Sequence, residues 1–369
     1  MQSLELSHPW DPADESNEWL TPRAKSGVSW SETPKTPHPP KVLRSGTDLG
    51  RLLGGRYIVL DWIGRGGMAD VFLARDVETS HFVAIKLLAK ELQHSLPHRS
   101  RMLREAVLAT AVSHPNVVTT LGAGELEDST PFLVLEPLVG ETLHDYLNRN
   151  RTMPVVVALP LLCQLAEGLA AIHGSGVVHG DIKPRNVFLC GPADAPTQLK
   201  IIDFGLARSI EPDARDLDDE TIAGTLEYLS PEQAVADPLD ERSDIYSFGV
   251  VAFRWLTGEL PFDTHLGTQL LVHQLTSPAP PMSWLANDIE PALDALVTVA
   301  LRKAKENRYQ SMLALLGDLE MIKEGERVIM GAPVTVYPDC YEPRHELGRR
   351  ALQVLLTADH HRLTLPGVA

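Results

Sequence analysis

From Arg56 the chain alternates. RYIVLDWIGRGGMADVFLARD and HFVAIKLL alternate or run apolar between glycine-rich breaks, which predicts a strand meander. SRMLREAVLATAVSH then changes period: Met102, Leu103, Ala106, Val107, Ala109 and Thr110 share one helical face, with charges opposite. HPN at 114–116 predicts the end of that helix, because proline disfavours helix at the residue before it. PFLVLEPL (131–138) reads as another buried strand. After residue 140 helical spacing dominates, in ETLHDYLNRN, VVALPLLCQLAEGLAAIHGSG, SDIYSFGVVAFRWLTG, EPALDALVTVALRKA and YQSMLALLGDLEMIK. A strand-rich part followed by a helix-rich part predicts an α+β chain of two lobes. No repeat is visible, and the strand pattern excludes a helical solenoid.

The flanks lack this order. Residues 1–54 are rich in Ser, Thr and Gly, with prolines clustered in TPKTPHPP, and bury too little to offset ordering entropy. Trp10, Trp19 and Trp30 sit there, either as scattered aromatics of a disordered tail or as anchors of a segment that docks on a partner or on the folded domain. Thr21, Thr33 and Thr36 each precede Pro, as phosphoacceptors or as plain linker residues. From residue 326, VIMGAPVTVYPDCYEP has no helical period, while RHELGRRALQVLLTA has the pattern of a short amphipathic helix with no assignable role.

Composition narrows the partners. The 369 residues have a normal hydrophobic share of 44% and a formal charge of −16, so nucleic acid and anionic membrane are disfavoured. Cys163, Cys190 and Cys340 are odd in number and form no CxxC pair, as expected of thiols in a reducing compartment. The N-terminus has no secretory pattern, and no apolar run approaches the roughly 18 residues of a membrane span. The expectation is a soluble, cytoplasmic protein.

Four stretches carry chemistry. In IGRGGMADVFLA, Gly64, Gly66 and Gly67 lie between two apolar runs, so the turn joins strands and its amides can approach phosphate oxygens. A strand after the glycines argues against a dinucleotide fingerprint, where a helix should follow. VAIK ends a strand at Lys86, and Glu105 on the next helix could hold that lysine at phosphates. HGDIKPRN supplies Asp181 to accept a hydroxyl proton, Lys183 to neutralise a transferring phosphoryl group and Asn186 to offer an amide oxygen to a metal. IIDFGLA places Asp203 after two apolar residues, where a second Mg²⁺ ligand is expected.

The set GxGGMxxV, VAIK, HxDIKPxN, DFG and GTxxYxSPE, in that order, resembles the eukaryotic-type (Hanks-type) serine/threonine protein kinase family, in its bacterial branch. The resemblance covers roughly residues 56–322. It implies a two-lobed fold, with an N-lobe of antiparallel sheet plus one helix (55–138) and a mainly helical C-lobe (139–325). It implies ATP with Mg²⁺, Mn²⁺ being the alternative, and protein substrates with Ser or Thr acceptors. By the same resemblance Asp181 is the base, and Lys183 reaches the γ-phosphate. Lys86, paired with Glu105, contacts the α- and β-phosphates. Asn186 and Asp203 hold metal. Gly64, Gly66 and Gly67 cover the phosphates; Ala69 stands where a third loop glycine often lies. Ile63, Val71, Ala84 and Phe188 sandwich adenine, Leu135 is the gatekeeper, and the backbone of Glu136 and Leu138 bonds the base. Asp244 holds the catalytic-loop backbone and Glu232 pairs with Arg308. Lys183 and Thr225 favour aliphatic hydroxyl acceptors.

One position departs from the pattern. Gly180 stands where most relatives carry an arginine that gathers a phosphate on the activation segment. That segment carries Asp216, Asp218, Asp219 and Glu220, with Thr221 beside them. Either the acidic run is a solvated loop and Gly180 is drift, or the switch is relaxed and needs no phosphate. An active protein kinase leads a scaffolding pseudokinase, since none of Lys86, Asp181, Asn186 and Asp203 is missing. It also leads a kinase of small molecules, since GTLEYLSPE resembles a platform for a peptide.

Overall fold

The structure is a computed structural model that describes residues 49–193, 195–205, 207–209, 226–263 and 267–325. Trp10, Trp19, Trp30, Thr21, Thr33, Thr36, the acidic run with Thr221 and Thr225, Cys340 and the amphipathic stretch after residue 326 lie outside the described residues. The chain divides into two compact units.

The first unit holds residues up to 95 and 121–135. Its strands are β1 (Leu52–Leu53), β2 (Tyr57–Arg65), β3 (Ala69–Asp76), β4 (Phe82–Leu88), β5 (Thr120–Glu125) and β6 (Pro131–Leu135), in sheet order β1-β2-β3-β4-β6-β5. Alternation splits the sheet into two faces. Phe72 and Ala74 of β3, Val83, Ile85 and Leu87 of β4, and Phe132 and Val134 of β6 form one core with Leu53, Val59 and Leu126. Leu53 corrects the tail boundary at residue 54: it pairs with Tyr57 and is buried, so the folded chain extends upstream. TLGAGE (β5) escapes a reading by composition because two glycines dilute its pattern. At Gly124 a Cβ would lie 2.5 Å from the Phe132 ring, so packing of the sheet itself demands the glycine.

The second unit holds residues 96–120 and, from 136, the rest of the chain. The predicted helices form: α1 (Leu96–Thr110), α2 (Leu143–Asn150), α3 (Val155–Gly174), α5 (Glu241–Thr257), α7 (Pro291–Ala300) and α8 (Met312–Lys323). Two more, α4 (Pro231–Ala234) and α6 (Gly267–Thr276), complete the α-helices of the described residues. α1 stops at Thr110, ahead of HPN, and groups with this second unit. HPN is an anchor instead: Asn116 Nδ2 donates to Leu199 O at 2.9 Å and to Gln164 Oε1 at 3.0 Å.

Short strands fill the gaps between helices. β7 (Gly140–Thr142), β9 (Val187–Cys190) and β10 (Gln198–Ile201) form a sheet in the order β10-β9-β7, and β8 (Val177–Val178) pairs with β11 (Arg208–Ser209). The core centres on α3 and α5, where Leu162, Leu165, Leu169, Phe248, Val251 and Trp255 are fully buried. By length and composition α3 would pass for a membrane-spanning helix, but more than half of it is buried inside the unit. Side-chain caps start several helices: Thr142 accepts from Asp145 N, Asp240 from Arg242 N and Ser311 from Ala314 N.

Candidate active site

In the sheet unit, register decides which side chains share a face. Val71 lies opposite Lys86, Lys86 opposite Leu133, and Ala84 opposite both Leu73 and Leu135. Val71, Ala84, Lys86 and Leu135 therefore occupy the face that turns away from the Ile85–Phe132 core. Lys86 is only 7% exposed, so its ammonium is held near the sheet rather than swinging in solvent. Ile63, more than half exposed, and Gly64 sit at the end of β2, where the register shifts between Trp62 and Gly64. The turn closes with Gly66 N–H donating to Ala69 O at 2.8 Å. A Cβ placed on Gly64 or Gly67 would meet nothing within 4 Å. Packing does not demand glycine at either position, and what their bare backbone permits is close approach of a ligand to the amides.

In the helical unit, the loop between β8 and β9 carries the charged cluster. Lys183 Nζ donates to both carboxylate oxygens of Asp181, at 2.9 and 2.7 Å. Asn186 Nδ2 donates to Asp181 O at 2.8 Å and to its Oδ2 at 3.0 Å. Both amide hydrogens of Asn186 are thus engaged, which turns its Oδ1 into the atom able to meet a cation. Burial pushes the Asp181 carboxyl above the ordinary carboxylate range, and Lys183 opposes that push. The loop hangs from α5: Asp244, fully buried, accepts the amides of His179 and Gly180, each at 2.8 Å, and bonds His173 Nε2 at 2.8 Å. Burial works to raise the Asp244 carboxyl, but His173 and these amides hold it below its ordinary value. His179, wholly buried, is pushed down and stays neutral, with its Nδ1 accepting from Asp181 N–H at 3.2 Å.

Asp203 lies just beyond β10, and its backbone is left-handed, with φ of +71°. Such a conformation is strained for a residue with a Cβ and marks a position the surroundings over-determine. Its Oδ1 accepts Gly205 N–H at 3.0 Å, and Ile202 N–H bonds Asn186 O at 2.9 Å, which ties the Asn186 and Asp203 segments together. From α1, Glu105 Oε1 accepts Phe204 N–H at 3.3 Å and Arg101 Nε donates to Gly205 O. Lys86 and Glu105 fall in different units. Glu136 uses its N–H on Thr119 O at 3.0 Å, so its carbonyl is the backbone group left for a ligand, and its side chain bonds Lys200 at 2.8 Å. Leu138 is half-buried, and Phe188 sits on β9 opposite Thr142 and Lys200.

The donors at Asn186 and Asp203 are oxygens, which suits Mg²⁺. Among the described residues no three His, Cys, Asp or Glu side chains converge as a protein-only metal cage, so phosphate and water oxygens would have to complete such a shell. Further out, Arg308 donates to both oxygens of Glu232, at 2.8 and 2.9 Å, with both side chains fully buried. Arg308 and Ser243 hold the Glu232 carboxyl below its ordinary value despite its burial, which acts the other way.

Arg101, Gln233 and His179 also hold this cluster, and their sequence signals are slight. Arg101 precedes Glu105 by one helical turn, and SPEQ has the Ser-x-x-Gln spacing of a capping box.

The family model described as a protein kinase domain matches residues 57–317. The chain is 44% identical over 264 residues to the serine/threonine-protein kinase pkn2 of Myxococcus xanthus, covering 70% of this chain and 31% of that protein. It is 36% identical over 277 residues to the serine/threonine-protein kinase PknB of Mycobacterium leprae, covering 74% and 44%. It is 33% identical over 294 residues to the serine/threonine-protein kinase pkn3 of Myxococcus xanthus, covering 77% and 53%. The chain thus spans between about a third and about half of these relatives.

Proposed function

This chain belongs to the protein kinase family, and from that premise we propose that it transfers the γ-phosphoryl group of ATP to Ser or Thr hydroxyls of proteins, itself among them, in intracellular signalling. The observation that carries the reading is the Asp181 carboxylate, clamped by Lys183 and Asn186 on a loop suspended from buried Asp244.

Asp181 accepts the proton of the attacking hydroxyl, and Lys183 beside it stabilises charge on the moving phosphoryl group. Lys86 meets the α- and β-phosphates, and the amides of Gly64, Gly66 and Gly67 cover phosphate oxygens. Ile63, Val71, Ala84, Leu135 and Phe188 are apolar and suit adenine, while the Glu136 carbonyl and the Leu138 amide suit its polar edge. Mg²⁺, or Mn²⁺ in its place, held by Asn186 and Asp203, would neutralise phosphate charge. Cys163 and Cys190 are free thiols, in keeping with a cytoplasmic setting. The Trp-bearing N-terminal segment stays a candidate docking element for a protein partner.

The test is transfer of labelled γ-phosphate by the full chain beside Asp203→Ala and Lys86→Ala. Labelling of the chain itself or of a generic basic protein by wild type, abolished in both variants, is the expected result. Nucleotide binding without transfer, under any divalent metal, would overturn it in favour of a scaffold.

A further inference from the structure

Gly180 precedes the proposed base, and its φ of +72° lies in the left-handed region. Glycine takes this conformation without strain, but it has a second freedom that other residues lack. At positive φ it can also adopt the region with ψ near 180°, which is essentially closed to side chains. The peptide joining Gly180 to Asp181 could therefore turn over, which would break the bond from Asp181 N–H to His179 Nδ1 and disturb the loop that carries the Asp181 carboxylate. Something must hold that peptide if the base is to stay in place.

Its two polar ends are both bonded. The N–H end, on Asp181, donates to His179 Nδ1 at 3.2 Å. The carbonyl end, on Gly180, accepts from Gln233 Nε2 at 2.7 Å. The shorter of the two comes from α4, fifty-three positions away in sequence. Gln233 is itself pinned. Its Oε1 accepts from Ser230 N at 2.9 Å and from Ser230 Oγ at 3.1 Å, while its own N–H donates to Ser230 Oγ at 3.4 Å. The two contacts also fix which end of the amide is which, since Gly180 O only accepts and Ser230 N–H only donates.

We propose that Gln233 is a positioning residue for the base: its amide locks the Gly180–Asp181 peptide against turning over, and it ties that lock to the Ser230 cap of α4. The proposal rests on Asp181 being the base of a protein kinase. A carbonyl deprived of its donor keeps a glycine's freedom, so the base spends less time in place and kcat falls while nucleotide binding does not.

The experiment compares full-length wild type, Gln233→Glu and Gln233→Met in steady-state transfer to a generic basic protein between pH 5.5 and 8. Gln233→Met lacks the donor at every pH and should lower kcat by about tenfold or more, with the KM for Mg·ATP within about twofold of wild type. Gln233→Glu keeps the acceptor for Ser230 but, as a carboxylate, repels Gly180 O. Protonated, it donates an O–H there, so its kcat relative to wild type should rise as pH falls. A role confined to capping α4 predicts the reverse, because the carboxylate is the better acceptor for Ser230 N–H. Wild-type kcat in Gln233→Met, or a Gln233→Glu ratio that is flat or falls with falling pH, overturns the proposal and leaves the kinase reading standing. Absence of transfer by wild type itself overturns both. Should Gln233→Glu fail to fold, Gln233→Met decides alone.

Discussion

Lys86 and Asp181 reach their places by different means. In the sheet unit, Lys86 is set by the backbone ladder: its opposite residues are Val71 and Leu133, and its neighbour Ile85 necessarily points into the core. In the helical unit, Asp181 lies on a loop whose amides and carbonyls are held by side chains from elsewhere, chiefly Asp244 on α5 and Gln233 on α4. A ladder fixes direction by counting residues. A loop must be fixed one polar group at a time, and each group needs a buried partner. The direction of Lys86 is therefore robust to change at any other single side chain of the ladder, whereas the loop depends on single residues far from the chemistry.

The largest effect expected from breaking this contrast is Asp181→Asn, which keeps the shape and removes the base. The rate should drop by about 10²–10⁴-fold, with the thermal midpoint of unfolding unchanged. A smaller loss in steady-state assays would place the base elsewhere. Arg308→Met comes next. It strands the Glu232 carboxylate where both partners are fully buried, and urea unfolding should register a loss of about 3–5 kcal/mol.

In the sheet, one change tests packing and another tests the glycine turn. Ile85→Ala empties a fully buried site and should cost about 2–5 kcal/mol. Gly67→Ala adds a methyl where nothing lies within 4 Å, so stability should stay within about 0.5 kcal/mol while ATP affinity falls. Calorimetric titration with nucleotide beside urea melts separates the two. Equal ATP affinity in Gly67→Ala and wild type would remove the glycine turn from the site.

The smallest effect concerns Asp76, whose carboxyl Arg56 holds well below the usual range through a side-chain hydrogen bond. Its folded pKa is depressed, so its stabilisation is present above the unfolded carboxylate value of about 4 and is lost as pH falls through the folded value. The stability gap between wild type and Asp76→Asn should accordingly shrink as pH drops below about 4. A gap independent of pH would show that the pair contributes little.

How much of this was legible without coordinates varied with the kind of constraint. Alternation in FVAIKLL and helical spacing in SDIYSFGVVAFRWLTG identified β4 and α5, because burial of a face imposes a period on the chain. β5 was not legible, since Gly124 answers to the Phe132 ring across the sheet and not to its own neighbours. The residues of the charged loop were legible as a cluster because they are close in sequence.

The chain's pattern was enough for the order of the longer N-terminal strands and the main helices, for the chemical identity of Asp181, Lys183, Asn186 and Asp203, and for the family to which those motifs belong. Asp244 was expected to hold the catalytic loop, but the left-handed backbone of Gly180, the bond from Gln233 to its carbonyl and the bonds of Arg101 and Glu105 to the backbone at Gly205 and Phe204 emerge from the folded chain alone. The physical reason is range. Periodicity and motif spacing are local properties that a chain displays in order, whereas a buried carbonyl or amide takes whichever donor or acceptor the fold brings to it, at a separation in sequence that nothing local encodes.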